Sequence, residues 1–362
     1  MADQEEFPIK LDLVGVRSDE CKYGENPQMQ GALYGTGGSD PLALTQFRDE
    51  GGDKRSLVNF TDVDRLLQTI THIAAGFSRN FGEVPAIAIG VKHGNPCGVG
   101  ISLDGSISRA SLVRMLKGDP RAIFGGVVMT SFPVGGEEAQ TLRSYGMETG
   151  KRLLDTIAAP SFDGDAREEL ERKAGKCRLL SNTALGRLAE MGEGCLDTSP
   201  RRRYVRGGWL AQTNYIYVLD LRAVEVECFG PEISEQQKHD IVLAWAIGST
   251  SNSNTITLVR DGMLIGNGVG QQDRVGAAEL AIKRAIDAGH GDDLGGLAGA
   301  VAYSDSFFPF PDGVQELVDA GVTAIFTSSG SVNDHMTIEV CEKAEVSLVM
   351  VPDSICRGFA WH

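Results

Sequence analysis

From residue 215 onward the chain alternates almost without interruption between short branched-apolar runs and segments of helical spacing: "YIYVLDL", "SEQQKHDIVLAWAIG", "TITLVRDG", "VGAAELAIKRAIDAG", "GAVAYSD", "VQELVDAG", "VTAIFTSS", "VNDHMTIEVCEKA" and "SLVMVP". That alternation predicts an α/β fold of parallel strands with right-handed crossovers, with ligands gathering at the strand C-terminal ends. The first half repeats the rhythm. A short strand, Ser56 to Phe60, is expected to feed a helix marked by Val63, Leu66, Leu67, Ile70, Ile73 and Ala74, with Asp62 as its N-cap. The strand "PAIAIGVKH", the turn "GNPCGVG", the helix "SRASLVRMLKG", the glycine turn "IFGGVVMTS" and the helix "GEEAQTLRSYGMETGKRLLDT" follow. At 362 residues there is room for two domains. The polar, proline-bearing stretch "GCLDTSPRRRYVR" is expected to be the boundary, giving domains 1–200 and 201–362. Its run of three arginines, Arg201 to Arg203, reads as a solvated linker, with a phosphate grip as the alternative.

Thirty-four basic against 49 acidic residues leave a formal charge of −15, which repels nucleic-acid backbones and anionic membranes outside local basic pockets. The acidic N-terminus has no secretion-signal pattern, and no apolar run nears the ~18 residues of a membrane span, so the expectation is a soluble, cytoplasmic protein. Seven cysteines without a C-x-x-C pair argue against a disulfide framework or a zinc cage. Six histidines show no H-E-x-x-H pattern, and "NPCG" lacks the H-x-E and second cysteine of zinc deaminases, so no metal is expected.

Three places invite chemistry. Lys92 and His93 end a strand beside a pre-organised bend; they are either ordinary surface residues or a pair in which His93 accepts a proton while Lys92 stabilises developing negative charge. In "SDSFFPFPDG", Phe307, Phe308 and Phe310 are either core plugs or a rigid slot for a flat heteroaromatic ring, with Asp312 as its carboxylate. "GNGVGQQDR" has neither the dinucleotide G-x-G-x-x-G order nor a P-loop lysine, and reads as a tight turn, while "SSGSVND" is anion-friendly but also ordinary helix capping.

Taken together, "KYGENPQ", "VKHGNPCG", "GDPRAIFGG", "SNTITLVRDGMLIGNGVGQQDRV", "SDSFFPFPDGV", "SSGSVND" and a terminal "R…H" resemble, in order and from about residue 20 to the end, the transformylase domain of the AICAR transformylase/IMP cyclohydrolase family. The resemblance implies two cytidine-deaminase-like α/β/α domains without zinc, formyl transfer from 10-formyltetrahydrofolate to the 5-amino group of AICAR, and a homodimer with active sites shared between subunits. It also implies that the preceding cyclohydrolase domain is absent, so that a separate IMP cyclohydrolase closes the ring. By its motifs His93 is the proton acceptor, Lys92 meets the oxyanion and Asn254 orients the formyl group. Lys22, Tyr23, Gly24, Asn59, Phe124, Gly125, Asp155, Arg274, Arg357 and His362 match the nucleotide pocket, and Phe307, Phe308, Pro309 and Asp312 match the folate slot. The chain departs from the pattern in four ways. Lys22 replaces an arginine, Arg357 and His362 are one residue further apart, Ser249 and Asn252 stand where lysines are usual, and Asp273 replaces a serine. These departures leave open another acceptor or donor, or a non-catalytic protein that binds purine nucleotide or folate.

Overall fold

The computed structural model describes residues 7–103, 108–293 and 296–360. A hairpin of β1 (Val16–Glu20) and β2 (Ala32–Gly35) comes first. A first run follows: β3 (Arg48–Gly51), α1 (Leu57–Phe81), β4 (Ala86–Lys92), β5 (Asn95–Ser102), α2 (Ser108–Gly118), β6 (Val127–Thr130), α3 (Gly136–Ser144), β7 (Thr156–Ala159), α4 (Gly164–Leu170) and β8 (Arg178–Ser181). After α5 (Leu188–Met191), the strands β9 (Arg201–Val205) and β10 (Gly208–Gln212) form an exposed hairpin where a linker was expected. The second run is β11 (Glu227–Phe229), α6 (Glu235–Gly248), β12 (Ile256–Arg260), β13 (Met263–Gly268), α7 (Arg274–Asp287), β14 (Val301–Ser304), α8 (Asp312–Asp319), β15 (Ala324–Ser329), α9 (Asp334–Lys343), β16 (Ser347–Pro352) and α10 (Asp353–Cys356).

Among the described residues twelve strands make one sheet, in the order β11-β16-β15-β14-β12-β13-β5-β4-β6-β7-β8-β3. Read outward from the central β13–β5 contact, the two runs have the same order and the same mixture of directions. Each has an antiparallel hairpin, an antiparallel third strand, two parallel strands and an antiparallel edge. The expectation of an α/β fold holds, while that of uniformly parallel strands is corrected. The hairpins are the reason: two-residue connections reverse the chain, whereas parallel neighbours need a helical crossover.

Helices cover both faces. In β4, Ile87, Ile89 and Val91 pack with α1 and α6, while the alternating Ala88 packs with α2, α3 and α4; the corresponding face of the second run holds α7, α8 and α9. α6 is buried on all sides from Asp240 to Gly248, and Gly76 lets α1 approach it: a Cβ there would lie 2.9 Å from both Trp245 and Val242. The sheet glycines have the same purpose. A Cβ on Gly98 or Gly100 would sit 2.2 Å from a backbone oxygen of α2, and one on Gly266 or Gly268 would sit 2.3 or 2.1 Å from a backbone oxygen of α7. Residues 95–100 of "GNPCGVG" and 266–268 of "GNGVG" are therefore strand segments on which a helix lies directly, not the turns that their composition suggested.

The expected strand over Ser56–Phe60 is the first turn of α1. Ser56, not Asp62, is the N-cap: its hydroxyl accepts from Asn59 N, and Asn59 Oδ1 accepts from Ser56 N at 2.9 Å. α6 begins with the same box, from Ser234 and Gln237. Ser56→Ala should cost about 1 kcal/mol in urea denaturation, the usual value of such a cap; an unchanged midpoint would show that Asn59 satisfies the helix start alone. Residues 213–220, where "YIYVLDL" suggested a strand, carry none. Their Tyr215 and Tyr217 pack instead against Trp245, at ring distances of 6.0 Å for Tyr217 and an Nε1–hydroxyl hydrogen bond of 3.3 Å for Tyr215. The expected long helix from Gly136 stops at Ser144.

Candidate active site

β4 and β5 pair Lys92 with Asn95, so only His93 and Gly94 form the turn, with φ of 53° and 76°. Two left-handed residues match the right-handed twist of a two-residue hairpin, but a histidine pays steric strain to adopt this conformation. α1 holds the turn in place: Asp62 Oδ1 accepts from Gly94 N at 2.8 Å, and Arg65 Nε donates to Gly94 O at 2.7 Å. The second run repeats the device. Asp261 and Gly262 join β12 to β13 with φ of 54° and 71°, and both of their amides donate to Asp240 on α6. Asp62 and Asp240 each lie six residues after the cap serine of their helix. One copy of a shared turn thus carries Lys92 and His93, and the other carries Arg260 and Asp261.

His93 is exposed and Lys92 half-buried. Lys92 Nζ donates to Phe124 O at 2.7 Å, next to Gly125, whose φ of 74° bends the loop before β6. Both side chains line a cavity of about 260 Å³ with Asn95, Asp119, Asn267 and Val269. His93 also borders a shallower one of about 340 Å³ with Glu25, Asp62, Arg65 and Asn252. Burial pushes the Asp62 carboxyl up, opposed by the Gly94 amide and by the charges of His93 and Arg65.

A second cluster centres on Arg274. Its Nη1 donates to Asp305 at 2.7 Å and to Asn254 Oδ1 at 3.1 Å, and its Nε donates to Phe307 O at 2.7 Å. Asp305 also accepts from Ser253 Oγ and from Thr255 N. Burial raises the Asp305 carboxyl and the Arg274 guanidinium opposes that rise. Asn254 Nδ2 donates to Gln271 O at 3.0 Å. The Phe359 ring lies 4.9 Å from the Arg357 guanidinium and 5.8 Å from that of Arg274.

Several expected ligand residues have internal partners. Lys22 pairs with Asp53, Asp155 with Arg172, Arg357 with Asp353, and Asn59 serves the cap of α1. Tyr23 and Gly24 lead into α1, with Tyr23 O accepting from Leu57 N. Phe308, expected in the folate slot, is 1% exposed among the α7 and α8 side chains. Phe307 is half-buried, and Pro309, Phe310 and Asp312 are exposed. His362 lies outside the described residues. The two cavities that His93 lines include none of the expected folate residues. Another cavity, of about 390 Å³, lies along Asp64, Gln68 and His72 of α1, and reaches Ser249 and Phe359 but neither Lys92 nor Asn254. His72, pushed down to about 4 by burial and stacked 5.5 Å from Tyr215, is a neutral packing residue there.

The structure accounts for Asp273: it caps α7, accepting from Gly276 N at 2.7 Å, so the carboxylate that replaces a hydroxyl faces the positive end of a helix. Arg65, Asn95, Asp305 and Gln271 escaped sequence reasoning as site residues, and Asp62 was read only as a helix cap. For the α1 pair the signal was present, since Asp62, Arg65 and Thr69 form a polar stripe at helical spacing inside an otherwise apolar face.

The AICARFT/IMPCHase bienzyme family model matches residues 1–284. The bifunctional purine biosynthesis proteins PurH of Bacillus cereus (strain AH820) and Bacillus anthracis are 31% identical to the chain over 345 residues, covering 95% of it. A PurH protein of Bacillus thuringiensis subsp. konkukian is equally similar. The chain spans 60% of the length of these relatives. With a family match over most of its length, and with the His93 hairpin inside the matched region, this chain belongs to the AICARFT/IMPCHase bienzyme family.

Proposed function

We propose that the chain is an AICAR formyltransferase of purine biosynthesis, with 10-formyltetrahydrofolate as the formyl donor. The observation that carries this reading is the His93 turn, where a histidine in a strained conformation and a lysine share a cavity and are held by a buried carboxylate and guanidinium. Such strain persists only where the surroundings impose it, and it concentrates at functional sites.

The acceptor amine is conjugated with its imidazole and carboxamide and is a weak nucleophile. His93 takes its proton as the nitrogen attacks the formyl carbon, and Lys92 Nζ stabilises the oxyanion of the tetrahedral intermediate. Collapse breaks the carbon–N10 bond; the proton held by His93 passes to N10, giving formylated AICAR and tetrahydrofolate. Asn254, fixed between Gln271 and Arg274, orients the formyl group. The Arg274–Phe359–Arg357 group serves the phosphate end, and Phe307, Pro309 and Asp312 the pterin.

The two cavities that His93 lines include none of the folate residues, which supports a homodimer with active sites shared between subunits. The duplicated strand order supports two cytidine-deaminase-like domains, 1–200 and 201–362. Among the described residues no helix is long and apolar enough to cross a membrane, which is compatible with a cytoplasmic enzyme. Purified protein mixed with AICAR and 10-formyltetrahydrofolate should produce the tetrahydrofolate absorbance change. AICAR binding in calorimetry without turnover, with folate of proven activity, would overturn the enzyme reading in favour of a binding protein.

A further inference from the structure

We infer that Arg65 is a positioning residue of this site: its guanidinium ties the His93–Gly94 turn to the Thr250–Asn252 segment and brings from α1 the positive charge that Asn252 does not carry. The inference rests on the proposed transformylase reading for its kinetic consequence, but not for its geometry.

Arg65 is 3% exposed and bonds to groups that no single element could provide. Its Nε donates to Gly94 O at 2.7 Å, and its Nη2 donates to Thr250 O at 2.7 Å and to Asn252 Oδ1 at 3.0 Å. The segment it grips continues directly into the second cluster. Asn252 N donates to Asn95 Oδ1 at 3.0 Å, Asn252 O accepts from Gly270 N at 2.7 Å, and Gln271, next in the chain, holds Asn254. One side chain therefore joins the residue beside His93 to the strand connection that presents Asn254, reaching Thr250 from 185 positions away in sequence.

The internal duplication shows that the turn itself does not need it. By the spacing from the cap serine, Asp62 corresponds to Asp240 and Arg65 to Leu243; Leu243 is buried, the Asp261–Gly262 amides donate to Asp240, and Gly262 O accepts from the backbone Ile101 N at 3.0 Å, so that turn is held without a guanidinium. Burying a guanidinium is costly unless its bonds matter, and desolvation brings the Arg65 group down to about 9. Asn252 occupies a place where the family resemblance leads one to expect a lysine. Charge-assisted bonds to the two carbonyls and to the Asn252 amide oxygen fix the segment while leaving the cation near the place where negative charge develops.

The test compares wild type, Arg65→Leu, Arg65→Lys and the double variant Arg65→Leu/Asn252→Lys, by kcat, KM and hydrogen–deuterium exchange. Arg65→Leu should lower kcat by ~100-fold, the scale of a small misplacement of reacting groups, with KM nearly unchanged. Exchange should quicken in peptides spanning 91–97 and 249–255 together. Adding Asn252→Lys to Arg65→Leu should restore most of kcat, and Arg65→Lys, which keeps the charge and folds most conservatively, should fall between. Wild-type kcat in Arg65→Leu, or a loss that Asn252→Lys does not recover, overturns the inference. If the wild type shows no AICAR formylation, the proposed function fails separately and exchange decides: coupled quickening supports the tie, and unchanged exchange sinks it.

Discussion

His93→Ala is expected to lower kcat for AICAR formylation at least ~100-fold, the usual scale for removing a general base, with little change in stability. The imidazole is exposed, and the contacts that hold its turn go to the backbone of Gly94, from Asp62 and Arg65, so they survive the substitution. Alanine in the left-handed region carries a steric cost of roughly 1–2 kcal/mol, which the histidine already meets. His93→Asn is the cleaner companion, because asparagine tolerates that backbone and cannot act as a base at neutral pH. Both variants should keep the wild-type melting temperature to within a few degrees while losing turnover. If either retained the full rate in a tetrahydrofolate-release assay, His93 would not be the proton acceptor, and the reading of the hairpin as a catalytic device would fail with it.

The largest expected stability effect belongs to the second cluster. Asp305→Ala should destabilise the fold by about 3–5 kcal/mol, the range for breaking a buried ion pair from one side. The Asp305 side chain is 0% exposed and that of Arg274 9%, and removal of the carboxylate strands a buried guanidinium together with the Ser253 hydroxyl and the Thr255 amide. Asp305→Leu combined with Arg274→Met should recover a large part of the loss, since replacing both members of a buried pair removes the uncompensated charge. The double variant should nevertheless stay inactive, because Asn254 Oδ1 and Phe307 O lose the donor that holds them. Urea denaturation of the three proteins checks the first part. A cost below about 1 kcal/mol for Asp305→Ala would show that the pair contributes no more than a surface one.

The hairpin explains why some of the site was legible and some was not. Lys92 and His93 are adjacent in sequence, at the end of a strand whose alternating apolar residues identify it, so their pairing could be read directly. That the following glycines continue as a strand could not. Glycine-rich segments suggest turns by their backbone freedom, but here they are short of side chains because the backbones of α2 and α7 lie on them. Asp62 was visible as a helix-start residue and was misplaced for a similar reason. A carboxylate that caps its own helix and one that caps a distant hairpin are the same residue type, and only Gly94, 32 positions away, distinguishes them. Phe308 had two equal readings, core plug or slot wall, and its burial among the α7 and α8 side chains was not visible in sequence. Ser249 and Asn252 raised a question about missing charge that the sequence could not resolve, since the answering cation, Arg65, belongs to a helix in the other half.

The amino-acid order alone determined the alternation of strands and helices, because periodic burial is a local property, and it placed the lysine–histidine pair and the phenylalanine–proline segment in recognisable blocks. Only the tertiary structure decided that the strands form one mixed sheet built from two like runs, and that a guanidinium from α1 reaches the Asn252 segment. The physical reason is that strand pairing and buried polar contacts are settled by which partners satisfy each other once water is excluded, over separations at which sequence spacing carries no signal.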